Sequence, residues 1–166
     1  IDMVLAHCSD QHPWFIESRK DRTNPKADWF YWLDPKDDGT EPNNWLSFFG
    51  GRTWTWETNR QQYYFHNFLS EQPNLNLSNP SVMDALMDIC RFWLDKGVDG
   101  FRLDAIHTMA FDPDFLDNDA RADIENGGDD SRVSQPFGMQ DIQSRQIDQP
   151  WGKQFLSELR TRADSY

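Results

Sequence analysis

The chain has 166 residues, with 16 Lys and Arg against 28 Asp and Glu, for a formal net charge of −12. That balance argues against a nucleic-acid partner, which needs clustered cationic side chains, and no apolar run reaches the ~20 residues of a membrane-crossing helix. The length supports a sizeable core, yet it falls short of a whole (β/α)₈ barrel, which takes about 250 residues.

Residues 1–5 are apolar and β-rich, the pattern of a short buried parallel strand. Asp2 interrupts that run and needs a partner, most simply an arginine on a neighbouring strand. His7 falls just past the strand end; a lone histidine there is more often a structural hydrogen-bonding group than a ligand contact. Cys8 and Cys90 are too few for a disulfide framework, and buried thiols are expected. From Cys8 to Leu77 no long helical period appears beyond a turn around residues 12–22. The stretch holds Trp29, Trp32, Trp45, Trp54 and Trp56, with turns at Asp34-Pro35, Asp38-Gly39, Pro42-Asn43-Asn44 and Gly50-Gly51. Thr53–Trp56 and Tyr63–His66 read as a hairpin joined through Glu57 to Gln62. Connections between a barrel strand and its helix usually take about 2–6 residues, so this excursion reads as an inserted subdomain above a catalytic mouth. With 8 Trp and 12 Phe the chain is rich in rings, which serve either as core or as platforms for a sugar.

Asn79-Pro80-Ser81 reads as a helix start, with Asn as N-cap and Pro in the first turn. Val82, Leu86, Ile89 and Trp93 follow at helical spacing, and Gly97 ends the run. A strand over residues 98–103 comes next, and the chain turns loop-like after Ile106. A helix feeding a strand that ends on Arg102-Leu103-Asp104 is one step of an α/β barrel. Chemistry in such barrels sits at the C-terminal strand ends, where Asp104 falls. Residues 110–138 are rich in Asp, Asn and Gly. They lack the ligand spacing of a calcium loop, so a solvated, mobile loop is expected and no metal site is assigned. Residues 150–163 give another amphipathic helix. The opening without an initiator Met and the close within a helix read as a piece of a longer protein.

Five segments then carry a resemblance. Gly100-Phe101-Arg102-Leu103-Asp104-Ala105 resembles the second signature of glycoside hydrolase family 13, the α-amylase family. Asp2-Met3-Val4-Leu5-Ala6-His7 resembles the first, and Gln72-Pro73-Asn74-Leu75-Asn76 the fifth. Pro42-Asn43-Asn44-Trp45 and Ser47-Phe48-Phe49-Gly50 resemble the inserted domain of bacterial α-glucosidases and oligo-1,6-glucosidases. The resemblance covers nearly the whole chain. It implies a partial (β/α)₈ barrel, about strand 3 to helix 4, with a small α+β subdomain B. Residues 1–7 would be strand 3, 8–77 subdomain B, and 78–166 helix 3, strand 4, a long loop and helix 4. It also implies retaining hydrolysis of α-glucosides, with Asp104 as nucleophile and Arg102 orienting that carboxylate and lowering its pKa. His7, Phe49, Phe68 and Gln72 align with residues lining the cleaved-sugar subsite, and Asp2 with a supporting carboxylate.

Departures from the family pattern carry their own expectations. Ala6 stands where many amylases place a calcium-ligating Asn, so that site is not expected here. Asn74 replaces an Asp, which weakens the expected hydrogen bonding. His107 is one position short of an amylase histidine, and no role is carried over. Ala105 replaces the Val that accompanies α-1,6 preference, which points to α-1,4 linkages. The acid/base carboxyl belongs to the next strand, so these residues alone are expected to be inactive and unstable. No cofactor is implied in this stretch, although a structural cation elsewhere in a parent barrel is compatible with the family. The implied partners are an α-glucoside oligosaccharide and the remainder of the barrel, with no membrane; family habit implies a bacterial cytoplasm. Two readings from other classes stand beside this one: a non-catalytic relative such as the heavy subunit of an amino-acid transporter, and a sugar-binding module.

Overall fold

A computed structural model describes residues 1–121 and 140–165. Its organising pair is β1 (Asp2–Met3) and β5 (Arg102–Leu103), parallel, with Asp2 opposite Arg102 and Met3 opposite Leu103. Both strands are shorter than the patterns predict. Among the described residues each of these strands pairs only with the other, and Ile1 and Val4 stay exposed beside them. Helix α2 (Pro80–Asp95) links the two in the manner of a parallel crossover. The Asn79 Oδ1 accepts the Ser81 N–H at 2.9 Å, and Pro80 costs nothing where the amide has no helical partner. Gly97, at φ 87°, carries the chain out of the helix through the left-handed region.

The buried face of α2 is Val82, Met83, Leu86, Met87 and Cys90. The pattern had placed Ile89 and Trp93 there. Instead Trp93 is exposed, because the methionines and Cys90 turn the helix toward the core by one position. Helix α4 (Trp151–Asp164) adds Phe155 and Leu159 to the same core and ties back to α2 through Arg162 and Asp84 at 2.7 Å. Gly152 lets the start of α4 pack against residue 110: a Cβ there would lie 2.6 Å from the Ala110 Cβ. Cys90 is buried, whereas Cys8 is only half-buried. Burial, and next the charge of Asp10, pushes the Cys8 thiol up to about 12, so it stays protonated.

Between His7 and Asn79 the chain builds α1 (Pro13–Ser18) and an antiparallel sheet of β2 (Trp32–Leu33), β4 (Gln62–Phe65) and β3 (Trp54–Glu57), in that order. The hairpin pairs Trp54 with Phe65 and Glu57 with Gln62, which places the turn at residues 58–61. On return, the segment 73–75 runs antiparallel to 6–8: His7 bridges Asn74, and the Leu75 N–H donates to the Ala6 carbonyl at 2.9 Å. A second core of Trp45, Trp54, Phe65 and Phe111 fills the far side of this sheet.

The stretch after residue 110 departs from the expected solvated loop where it is described. Asp112 is buried because Arg145 pairs with it at 3.1 Å. Asn118 is buried among the amides of Asn44, Gln140 and Gln146. Short strands β6 (Asp119–Ala120) and β7 (Gln140–Asp141) pair antiparallel, and one turn of helix, α3 (Ile142–Arg145), follows. Residues 122–138 of the Asp/Asn-rich stretch lie outside the described residues. Among the described residues no group of three His, Cys, Asp or Glu side chains could hold a metal, and no helix is long and apolar enough to cross a membrane.

Candidate active site

Asp104 follows β5 directly, and its N–H continues the parallel ladder to the Met3 carbonyl at 3.1 Å. Alternation puts Arg102 and Asp104 on one side of the strand, with Asp2 directly across the pair. The guanidinium therefore forks. Its Nη1 lies 3.2 Å from Asp2 Oδ2, and its Nη2 lies 3.0 Å from Asp104 Oδ1. Asp2 thus finds its partner on the neighbouring strand. The hydrogen bond and charge of Asp2, then those of Asp104, raise the Arg102 pKa further, so the cation is permanent. Asp104 keeps its second oxygen free of the fork, and its side chain is 48 % exposed. Ala105 then turns at φ 50°, ψ 36°, the left-handed region. Its carbonyl is held by both the N–H and the hydroxyl of Thr108, at 3.0 and 2.8 Å.

Next to this carboxylate stands a polar and aromatic shelf. The Leu69 N–H donates to Gln72 Oε1 at 3.2 Å, which directs Gln72 Nε2 at His7 Nε2, 3.1 Å away. His7 Nε2 must accept that bond, so in the neutral ring the proton sits on Nδ1. Burial lowers the His7 pKa and keeps the ring neutral, against the field of Asp104, which raises it. His7 Nδ1 is buried and has no hydrogen-bond partner among the described residues. Phe68 meets the edge of His7 at 5.4 Å between ring centres, and Phe48 and Phe49 lie against Phe68 at 5.6 and 5.4 Å. Phe49 is 65 % exposed, an open apolar face.

The shelf is fixed from behind. The Phe68 carbonyl accepts from the Ser47 hydroxyl and from His66 Nδ1–H at 2.9 Å, while His66 Nε2 accepts from the Thr55 hydroxyl at 2.9 Å. Burial lowers the His66 pKa below 6.5, opposed by the Phe68 bond and by the charge of Glu71. An unfolded His66 therefore takes up a proton at a higher pH than the folded one. The stability from this neutral ring is full above about pH 6.5 and is lost as pH falls through that value toward the folded pKa. Thermal midpoints of the full-length protein should drop between pH 7 and pH 5, and by less in His66→Gln. Equal slopes for the two proteins would contradict the account.

Structure thus gathers Asp2, Arg102 and Asp104 at one strand end and His7, Gln72, Phe49 and Phe68 beside it. Ala105 is the strained residue that follows the carboxylate. Asn74, where weaker bonding was expected, still accepts the Asn67 N–H at 2.9 Å. Phe48 was missed as a separate contributor, although two successive Phe before Gly50-Gly51 was a usable signal. Its ring also meets the exposed His107 at 6.1 Å. A cleft of about 640 Å³ lined by Tyr31, Met83, Trp151 and Arg162 holds none of these groups; the site is an open face.

A family model for the α-amylase catalytic domain matches residues 1–166. The chain belongs to the α-amylase family. It is 48% identical over its whole length to a probable α-glucosidase of Rhizobium meliloti, of which it covers 30%. It is 48% identical, over 70% of its length, to an oligo-1,6-glucosidase of Heyndrickxia coagulans, of which it covers 21%. Among solved structures, an α-glucosyl transfer enzyme superposes on the whole chain with a TM-score of 0.89 at 50% identity, 31% of that chain being covered. A trehalose-6-phosphate hydrolase of Bacillus licheniformis matches at 0.82 and 32% identity, with 26% covered. The chain therefore spans about 30% or less of these relatives. As a member of this family covering about 30% of its solved relatives, the chain is consistent with part of a catalytic α/β barrel. The transporter-subunit and sugar-binding-module readings find no support among these relatives.

Proposed function

We propose that the chain is the nucleophile-bearing part of a retaining α-glucosidase that releases terminal α-glucosyl units from short oligosaccharides. The observation that carries this reading is the Arg102-held carboxylate of Asp104 beside the neutral His7 ring that Gln72 orients. Residues 8–77 serve as subdomain B, which brings Phe49, Phe68 and Gln72 over the strand ends. Names of relatives support the activity: α-glucosidase and oligo-1,6-glucosidase.

On this reading a glucosyl ring rests against Phe68 and Phe49, beside His7 and Gln72. The free Asp104 oxygen attacks the anomeric carbon as the glycosidic C–O bond breaks. A second carboxyl, about 5–5.5 Å from the first, protonates the departing oxygen. Asp2 is committed to Arg102, so this acid comes from the rest of the barrel, and the 166 residues alone are inactive. Water then attacks the glucosyl–Asp104 ester, loses its proton to that second carboxylate and frees Asp104. A sugar hydroxyl in place of water gives transglucosylation. By family resemblance the enzyme works in a bacterial cytoplasm.

Proton NMR of early turnover by the full-length enzyme should show α-glucose appearing first; β-glucose would overturn the retaining mechanism. Small Ala105 beside the nucleophile supports α-1,4 preference. Maltose is therefore expected to give a higher kcat/KM than isomaltose, and the reverse order would refute that preference.

A further inference from the structure

Asn67 is fully buried, and its bonds span the site. Its Nδ2 donates to the Thr108 carbonyl at 2.8 Å. Its backbone carbonyl accepts the Phe48 N–H at 2.8 Å, and its own N–H donates to Asn74 Oδ1 at 2.9 Å. Gln146 Nε2 lies 3.5 Å from Asn67 Oδ1. Thr108 is itself fully buried and grips the Ala105 carbonyl twice. A continuous path thus runs from Phe48, through Asn67 and Thr108, to Ala105, the residue bonded to Asp104. The next residue along the chain from Asn67 is Phe68.

We infer that Asn67 is a positioning residue that sets the distance between the sugar shelf and the nucleophile. The inference rests on the α-glucosidase reading above. Two parts of the chain more than thirty residues apart must meet with the accuracy that an in-line attack requires. The described bonds hold each part separately: Ser47 and His66 fix Phe68, and Arg102 fixes Asp104. Asn67 joins the shelf to the turn after Asp104 through a side chain. Its amide is required chemically, because the Thr108 carbonyl only accepts. An aspartate of the same shape keeps the acceptor and loses that donor.

The test uses the full-length enzyme with Asn67→Asp, and Thr108→Val as a second, isosteric break in the same path. For each, kcat on an aryl α-glucoside is measured with the inhibition constant of glucose and with amide hydrogen exchange over residues 105–109. Asn67→Asp should lower kcat roughly 10- to 100-fold, change the glucose constant by less than about threefold, and speed exchange over 105–109. Thr108→Val should do the same to a smaller degree, and the double variant should cost less than the product of the two singles. Unchanged exchange would show that the path does not hold the turn. Faster exchange with unchanged kcat, or equal losses in kcat and glucose binding, would overturn the positioning role. Should Asn67→Asp not fold, Thr108→Val decides by the same criteria. A wild-type enzyme without α-glucoside turnover would instead refute the function, and exchange alone would then judge the path.

Discussion

Asp104→Asn in the full-length enzyme should lower kcat on α-glucosides by on the order of 10⁴-fold or more, with little change in folding. The amide is the same size as the carboxylate and can still accept from Arg102 Nη2, so the fork survives in part. What is lost is the negative oxygen that forms the ester and later leaves as a carboxylate. Losses of this order accompany removal of a covalent nucleophile when the rest of a site is intact. Circular dichroism and glucose binding should match wild type. Trapping with a fluorinated glucosyl fluoride should add mass to the peptide containing Asp104 in wild type only. Turnover within tenfold of wild type would remove Asp104 from the reaction.

Trp45→Ala should destabilise the protein by about 3–5 kcal/mol, the largest stability loss expected from one side chain here. Trp45 is fully buried, with Phe65 at 5.7 Å and Phe111 at 5.9 Å between ring centres. Its Nε1–H also donates to the Leu116 carbonyl at 2.9 Å. The truncation leaves a cavity and also removes the donor to the Leu116 carbonyl. Trp45→Phe keeps most of the ring and loses the donor, so it should cost about 1–3 kcal/mol. Urea unfolding of the two full-length variants measures both. A loss below about 1 kcal/mol for the alanine variant would mean that the second core does not hold the excursion to the chain beyond Asp104.

Much of this was legible in the residues because local chemistry and tertiary role coincide. Asn79-Pro80 starts a helix in any context, and Arg102-x-Asp104 must share a strand face. Asp2 asked for a cationic partner and found one. Other features were set by distant neighbours. Trp93 fits an inward helical face by spacing, but Met83, Met87 and Cys90 claim that face. Asp112 and Asn118 look like loop residues until Arg145 and Gln146 arrive from some 30 residues away. Asn67 gives no signal in sequence, since a single asparagine has no period, and its partners lie 7, 19, 41 and 79 residues away. Family membership was readable where motifs fall in register. The rest was hidden where geometry depends on who meets whom.

The guanidinium fork also has a bearing on how the protein matures. Asp2 and Asp104 lie about a hundred positions apart, yet one arginine clasps both. A slip of one residue between the two parallel strands would swing every side chain to the opposite surface and tear that clasp open. On the α-glucosidase reading, a misaligned intermediate has no held nucleophile, which forms only once a very long loop has closed. Slow, non-local closure of this kind is where newly made chains are most exposed to aggregation, so enzymatic competence doubles as a proofreading mark for finished assembly.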